Sequence, residues 1–262
     1  MNANIVSIIS LSIIFIATTL GSSFVFFLKN NLSIKTNNLI LGFASGIMIS
    51  ASIFGLLIPS IDQSKEYFTN ISWLPPILGF LIGGVILYLL DKLIPHFHKT
   101  NGVTEGKKSN LSNNLKFFLA VTIHNIPEGL SVGFLCGMAL NSNNDSALIY
   151  SCLSLAIGIA LQNIPEGAAV SIPLFNDGMS KTKSFLFGTL SGIVEPIFGI
   201  MGLFLAKLSI ITPWLLAIAC GAMFYVTLDE LLPESRKGGY EHYGLLSFMI
   251  GFVIMMALEL LL

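Results

Sequence analysis

Two hexapeptides in this chain carry the same polar chemistry twice. One is His124, Asn125, Ile126, Pro127, Glu128, Gly129; the other is Gln162, Asn163, Ile164, Pro165, Glu166, Gly167. They agree at five of six positions and begin 38 residues apart. In each, the first and fifth residues are i and i+4, so on a helix they share one face, one turn apart. Imidazole, carboxylate and amide oxygen, with no thiolate, form a mixed donor set that suits divalent transition metals. Permanent structural zinc sites are typically Cys-rich closed tetrahedra. A mixed set releases its ion more readily, which favours passage over storage. Pro127 and Pro165 lack an N–H; they free the carbonyls of Ile123 and Leu161 and bend their helices. Gly129 and Gly167 allow a neighbouring helix to come close.

These residues must be held by apolar segments. Of 262 residues, 54% are hydrophobic and only 10% charged. A soluble domain carries roughly 25% charged residues, so lipid must cover most of this surface. The net charge of -1 leaves no footprint for nucleic acid. Apolar runs of spanning length fall at about 5–28, 38–59, 73–94, 115–140, 147–172, 184–206, 213–233 and 243–262. They are continuous, unlike the short alternating strands of a membrane barrel. The expected fold is all-α: a polytopic membrane protein of eight transmembrane helices in one domain, 1–262. Its longest connection is a cytoplasmic loop at about 95–114, between the third and fourth helices. The first run has no basic residue before it and is too long for a signal segment, so it reads as a retained helix. Cys136, Cys152 and Cys220 sit in apolar stretches without CxxC spacing and read as packing residues.

Charge sets the orientation. With both termini outside, the inner ends hold Lys29, Lys35, Lys92, Lys99, Lys107, Lys108, Lys116, Lys181, Lys183, Arg236 and Lys237, and the outer ends only Lys65 and Lys207. Inside the spans, His124, Glu128, Glu166 and Glu195 each cost about 2.5–3.5 kcal/mol on insertion scales, a cost retained where such groups have a task. A short turn near 143–144 makes the two motif helices antiparallel. Counting back from it sets His124 and Asn125 level with Gln162 and Asn163. Glu128 and Glu166 then flank that level, roughly 10 Å apart along the helices. Asp229, Glu230 and Glu259 fall near span ends, where interfacial solvation is the default, and stay outside the expected site.

At these residues the sequence resembles the ZIP (Zrt/Irt-like) family of metal transporters, most closely its bacterial branch. The resemblance rests on both hexapeptides, on Glu195-Pro196, on Gly46-Ile47-Met48, and on Leu231-Leu232-Pro233-Glu234. It implies a two-metal site at mid-membrane. Met48, His124, Glu128, Gln162 and Glu166 would form one position. Asn125, Glu128, Asn163, Glu166 and Glu195 would form the second, with both glutamates bridging. The family often has an acid where Asn163 stands, which lowers the charge of the second position. Asp62 matches an outer entrance carboxylate. Asp91, His96, His98 and Glu241 match a cluster at the inner mouth. A homodimer is the family-level expectation.

The expected function is uptake of divalent transition metal ions toward the cytoplasm across a plasma membrane. Zinc is the first choice of cargo, and iron, manganese and cadmium compete for so permissive a set. No separate cofactor and no enzymatic step is expected. An intramembrane metal-dependent hydrolase is the alternative, but there is no HExxH pair and one His only lies in a helix. A carrier whose glutamates relay protons is a third class, poorly served by Gln and Asn.

Overall fold

The computed structural model describes residues 2–27, 33–93, 96–98, 103–105, 113–142 and 145–261. Within them, 8 segments are long and apolar enough to cross a membrane: Ala3–Phe26, Ile34–Tyr67, Leu74–Leu93, Phe118–Asn141, Ser146–Asn176, Lys181–Leu205, Thr212–Glu234 and Glu241–Leu261. They are the segments expected from the sequence. The largest difference is at the second, which runs through Pro59 to Tyr67. Pro59 lies in the first turn of a new α-helix, where a missing N–H is tolerated.

In chain order the helices are α1 (Ala3–Ser23), α2 (Ile34–Ser50), α3 (Ile58–Tyr67), α4 (Leu74–Leu93), α5 (Asn113–Asn141), α6 (Ser146–Asn176), α7 (Lys181–Ser191), α8 (Val194–Leu205), α9 (Thr212–Val226), α10 (Leu232–Glu234) and α11 (Glu241–Leu261). A π-helical segment, Ala51–Leu57, joins α2 to α3, and another, Thr227–Leu231, joins α9 to α10. The polar turns start helices. Ser33, Asp145 and Ser180 accept from the backbone N–H groups of Thr36, Ala147 and Lys183, satisfying donors the first turn leaves open. Eight alternating crossings would set both chain ends at one membrane face, the terminal face, and the segment ends near 34, 93, 176, 181, 234 and 241 at the opposite, lysine-rich loop face.

Helix α6 packs along α1, α5 along α8, α2 along α11 and α4 along α9, while α5 and α6 also pack on each other. The α5–α6 pair therefore stands between the others. Two glycines make this possible. A Cβ at Gly129 would collide with the backbone of Glu195 in α8, and one at Gly167 with the Thr18 carbonyl in α1. Large apolar side chains are exposed in rows, as on α11 with Leu246, Met249, Ile250 and Val253, which is the surface lipid covers. Buried hydroxyls turn back to their own helix. Ser45 donates to the Leu41 carbonyl and Ser52 to that of Met48, each at 2.7 Å.

Two details depart from expectation. His96–His98 forms a strand, β1, paired antiparallel with β2, Val103–Glu105, with His96 opposite Glu105. This ladder is a small exception to the helical fold; in a loop, extended pairing gives the backbone groups partners that helices provide elsewhere. Cys136 and Cys152, read as packing residues, are joined as a disulfide with their Cα atoms 5.1 Å apart. The antiparallel α5 and α6 come together beside their connecting turn, within the ordinary span of such a bridge. Cys220 is free and buried.

Candidate metal centre

Glu195 is the hub of the polar centre. The sixth span is broken between α7 and α8, so Glu195 lies in the first turn of α8 rather than in mid-helix. A helix N-terminus favours a carboxylate there. Three donors converge on it: Thr18 Oγ1 at 3.0 Å and Asn125 Nδ2 at 3.3 Å on Oε1, and Asn163 Nδ2 at 2.6 Å on Oε2. The hexapeptide asparagines thus hold opposite oxygens of one carboxylate. Each amide also donates to a backbone carbonyl at 3.1 Å, Asn125 to Ser191 at the helix break and Asn163 to Ile14 in α1.

Gln162 ties the two glutamates. Its Nε2 donates to Glu128 Oε1 at 2.6 Å and to Asn163 Oδ1 at 3.0 Å, and stands 3.5 Å from Glu166 Oε2. Asn125, Glu128, Gln162, Asn163 and Glu195 are all at most 1% exposed. In that enclosure three oxygens have no hydrogen-bond partner: Asn125 Oδ1, Glu128 Oε2 and Gln162 Oε1. Unpaired buried acceptors cost about 1–3 kcal/mol each. All three are of the kind a cation would take.

His124 meets two acids from outside the hexapeptides. Its Nδ1 is 3.4 Å from Glu230 Oε2, in the second π-helical segment, and its Nε2 is 4.0 Å from Asp91 Oδ1 on α4. Met48 is buried, and its sulfur accepts from Thr227 Oγ1 at 3.6 Å. Asp91 thus stands beside a residue of the central motif. Asp62 is exposed and paired with Lys65 at 2.8 Å, away from the centre. Glu241 accepts from the Gly239 N–H at the start of α11. The side chains of His96 and His98 lie outside the described set. Among the described residues, no three His, Cys, Asp or Glu side chains gather as one metal-holding group. Amides stand between the acids instead.

Sequence reasoning missed Thr18, Thr227 and Glu230. Glu230 had a signal: it lies inside an apolar run, three residues before Pro233 and next to a motif already singled out. Its place on a π turn, which aims it inward, had none.

This centre sits on two antiparallel helices with matched polar motifs. A ZIP Zinc transporter family model matches residues 101–259, which include both. The chain belongs to the ZIP family. It is 34% identical to the zinc transporter GufA of Myxococcus xanthus, over 93% of this chain and 94% of that one. It is 31% identical to the human zinc transporter ZIP11, over 84% of this chain and 86% of that protein. With the zinc transporter ZIPB of Bordetella bronchiseptica it shares 30% identity, over 94% of this chain and 77% of the other. In this ZIP chain a cavity of about 350 Å³ lies between α2 and α6. Ile34, Asn38, Pro173, Asn176, Glu234 and Lys237 line it at the loop-face end, and it reaches Ala168, one helical step past Gly167.

Proposed function

We propose that this chain carries divalent metal ions, zinc foremost, across a plasma membrane through the polar centre between α5, α6 and α8. The carrying observation is the set of three partnerless oxygens on two facing motifs. Asn125 Oδ1, Glu128 Oε2 and Gln162 Oε1 belong to side chains buried where lipid would otherwise surround them. The relatives are named zinc transporters, which favours zinc as the cargo.

Of the ligands expected from the sequence, the proposed site takes Asn125, Glu128, Gln162, Asn163, Glu166 and Glu195, with two positions bridged by Glu128 and Glu166; Met48 and His124 stand beside it instead of within it. A bound ion repels the amide N–H groups that now hold these acids. Rotation of the Gln162 and Asn163 amides would turn oxygen toward the cation in place of nitrogen. The carboxylate network therefore has one arrangement held by amide donors and another held by the ion. Lysine-rich ends at the loop face put that face inside and the termini outside. The cavity beside α6 then lies on the release side, and alternating access brings the ion to it.

Uptake by purified protein in liposomes tests this. Zinc enters with wild type, and Glu166→Ala loses both uptake and bound metal measured by elemental analysis. A Glu166→Ala chain that transports zinc as wild type does would remove the proposed site. Ligands must be deprotonated to coordinate, so uptake weakens from neutral to mildly acid pH; a flat profile contradicts coordination by these groups.

A further inference from the structure

The central site leaves Glu259, a half-buried acid of the last span, unused. Glu259 lies two residues before the end of α11, close enough to the terminal face for its side chain to reach water. It turns inward instead. Its Oε1 is sealed from solvent without a hydrogen-bond partner. It lies against Gly55 of the first π-helical segment, where an added Cβ would be 3.2 Å from that oxygen. Leu155 of α6 closes the same pocket. The hydroxyl of Ser154 stands beside the carboxylate, is buried, and makes no well-formed hydrogen bond of its own. Two oxygens on two helices, Glu259 Oε1 of α11 and Ser154 Oγ of α6, meet here against the first π-helical segment.

The opposite end of the bundle has a matching construction. Asp91 lies two residues before the end of α4, and α4 packs on α9, which leads into the second π-helical segment. Likewise α11 packs on α2, which leads into the first. Gly-x-Met precedes each π-helical segment, at Gly46 to Met48 and at Gly221 to Met223, and Pro59 or Pro233 follows it. α4 ends at the loop face and α11 at the terminal face, so the two acids mark opposite ends. Asp91 already reaches a motif residue, His124.

We propose that Glu259 is the carboxylate of a further cation-binding position at the terminal face, which receives the divalent metal ion before the central site. This rests on the transport reading. The helices that surround Glu259 are those that carry Met48 and Gln162. Gly55 is seven residues beyond Met48, and Ser154 eight before Gln162, so the two positions are separated by about 10 Å of helix. Between them Ala51, Leu155 and Ile159 are each at most 1% exposed. This apolar plug separates the positions in the present conformation. An ion reaches Glu259 from the terminal face, held by carboxylate, hydroxyl and retained waters, and passes inward when α6 moves against α2.

Two measurements decide it. In liposomes, Glu259→Gln raises the KM for zinc roughly tenfold with Vmax within about twofold, the pattern of lost binding rather than lost chemistry, and Glu259→Asp recovers most of it. Equilibrium dialysis with Cd2+ uses a chain whose centre is disabled by Glu128→Ala and Glu166→Ala. It retains one weak site, which disappears when Glu259→Gln is added. An unchanged KM in a folded Glu259→Gln chain, or a weak site that survives the added substitution, overturns the proposal. Wild-type liposomes that take up no metal would remove the transport reading instead; the dialysis arm would still decide whether Glu259 binds.

Discussion

The two hexapeptides differ at one residue in six, yet the fold treats their halves differently. Their asparagines and glycines behave as a matched pair. Asn125 and Asn163 grip opposite oxygens of Glu195, and Gly129 and Gly167 admit the backbones of α8 and α1. The first residues do not match. Gln162 bonds Glu128, whereas His124 meets Glu230 and Asp91. The acids differ less: Glu128 is buried and Glu166 half-buried. The shared residues hold the frame, and the differing residue joins it to the scaffold on the α4–α9 side.

The largest expected effect tests the frame. Gly129→Ala and Gly167→Ala each force a methyl into a neighbouring backbone and each cost about 3 kcal/mol, the upper range of overpacking. Thermal melting in detergent measures this, and similar losses are expected because both contacts are with backbone. A silent Gly167→Ala beside a damaging Gly129→Ala would break the match. Next is Glu195→Ala. It removes the acceptor shared by Thr18, Asn125 and Asn163, all of which keep a backbone carbonyl. The expected loss is about 2 kcal/mol, because the donors are only partly stranded. Bound metal in the second position falls with it. An unchanged melting temperature would mean that the asparagines do not depend on this carboxylate.

Much of this was legible in the sequence because the bilayer enforces it. Continuous apolar runs gave all eight spans, and four ionisable groups inside those runs pointed to the candidate centre. Contacts set by local irregularity were not legible. The break at Gly192 and Ile193 moves Glu195 from mid-helix to a helix start, and a π turn aims Glu230 at His124. Hydrophobic periodicity does not encode a one-residue insertion in a helix, since every neighbour is apolar either way. Register was only partly legible. Counting back from the turn set His124 level with Gln162, but did not show the rotation that aims one at Glu230 and Asp91 and the other at Glu128. The disulfide between Cys136 and Cys152 was hidden because a pair 16 residues apart across a helical turn has no spacing signature.

The smallest structural effect tests the one difference between the motifs. His124→Gln makes both hexapeptides identical in sequence. Gln can reach the same helix face and carries both donor and acceptor, so stability changes by less than about 1 kcal/mol, as for a change that keeps a hydrogen-bonding side chain in place. It removes the imidazole that stands between the centre and the Glu230–Asp91 pair. The central glutamates and amides remain, so metal still binds in equilibrium dialysis, while zinc uptake at low concentration falls by at least about tenfold, as when a group that orients a metal site is lost. Glu230→Gln, which alters the other side of the same contact, shifts uptake in the same direction by less. Should His124→Gln transport as well as wild type, the asymmetry between the halves would be a packing detail. Should it lose all bound metal, His124 would belong to the centre itself, and its contact with Glu230 would describe only one of its positions.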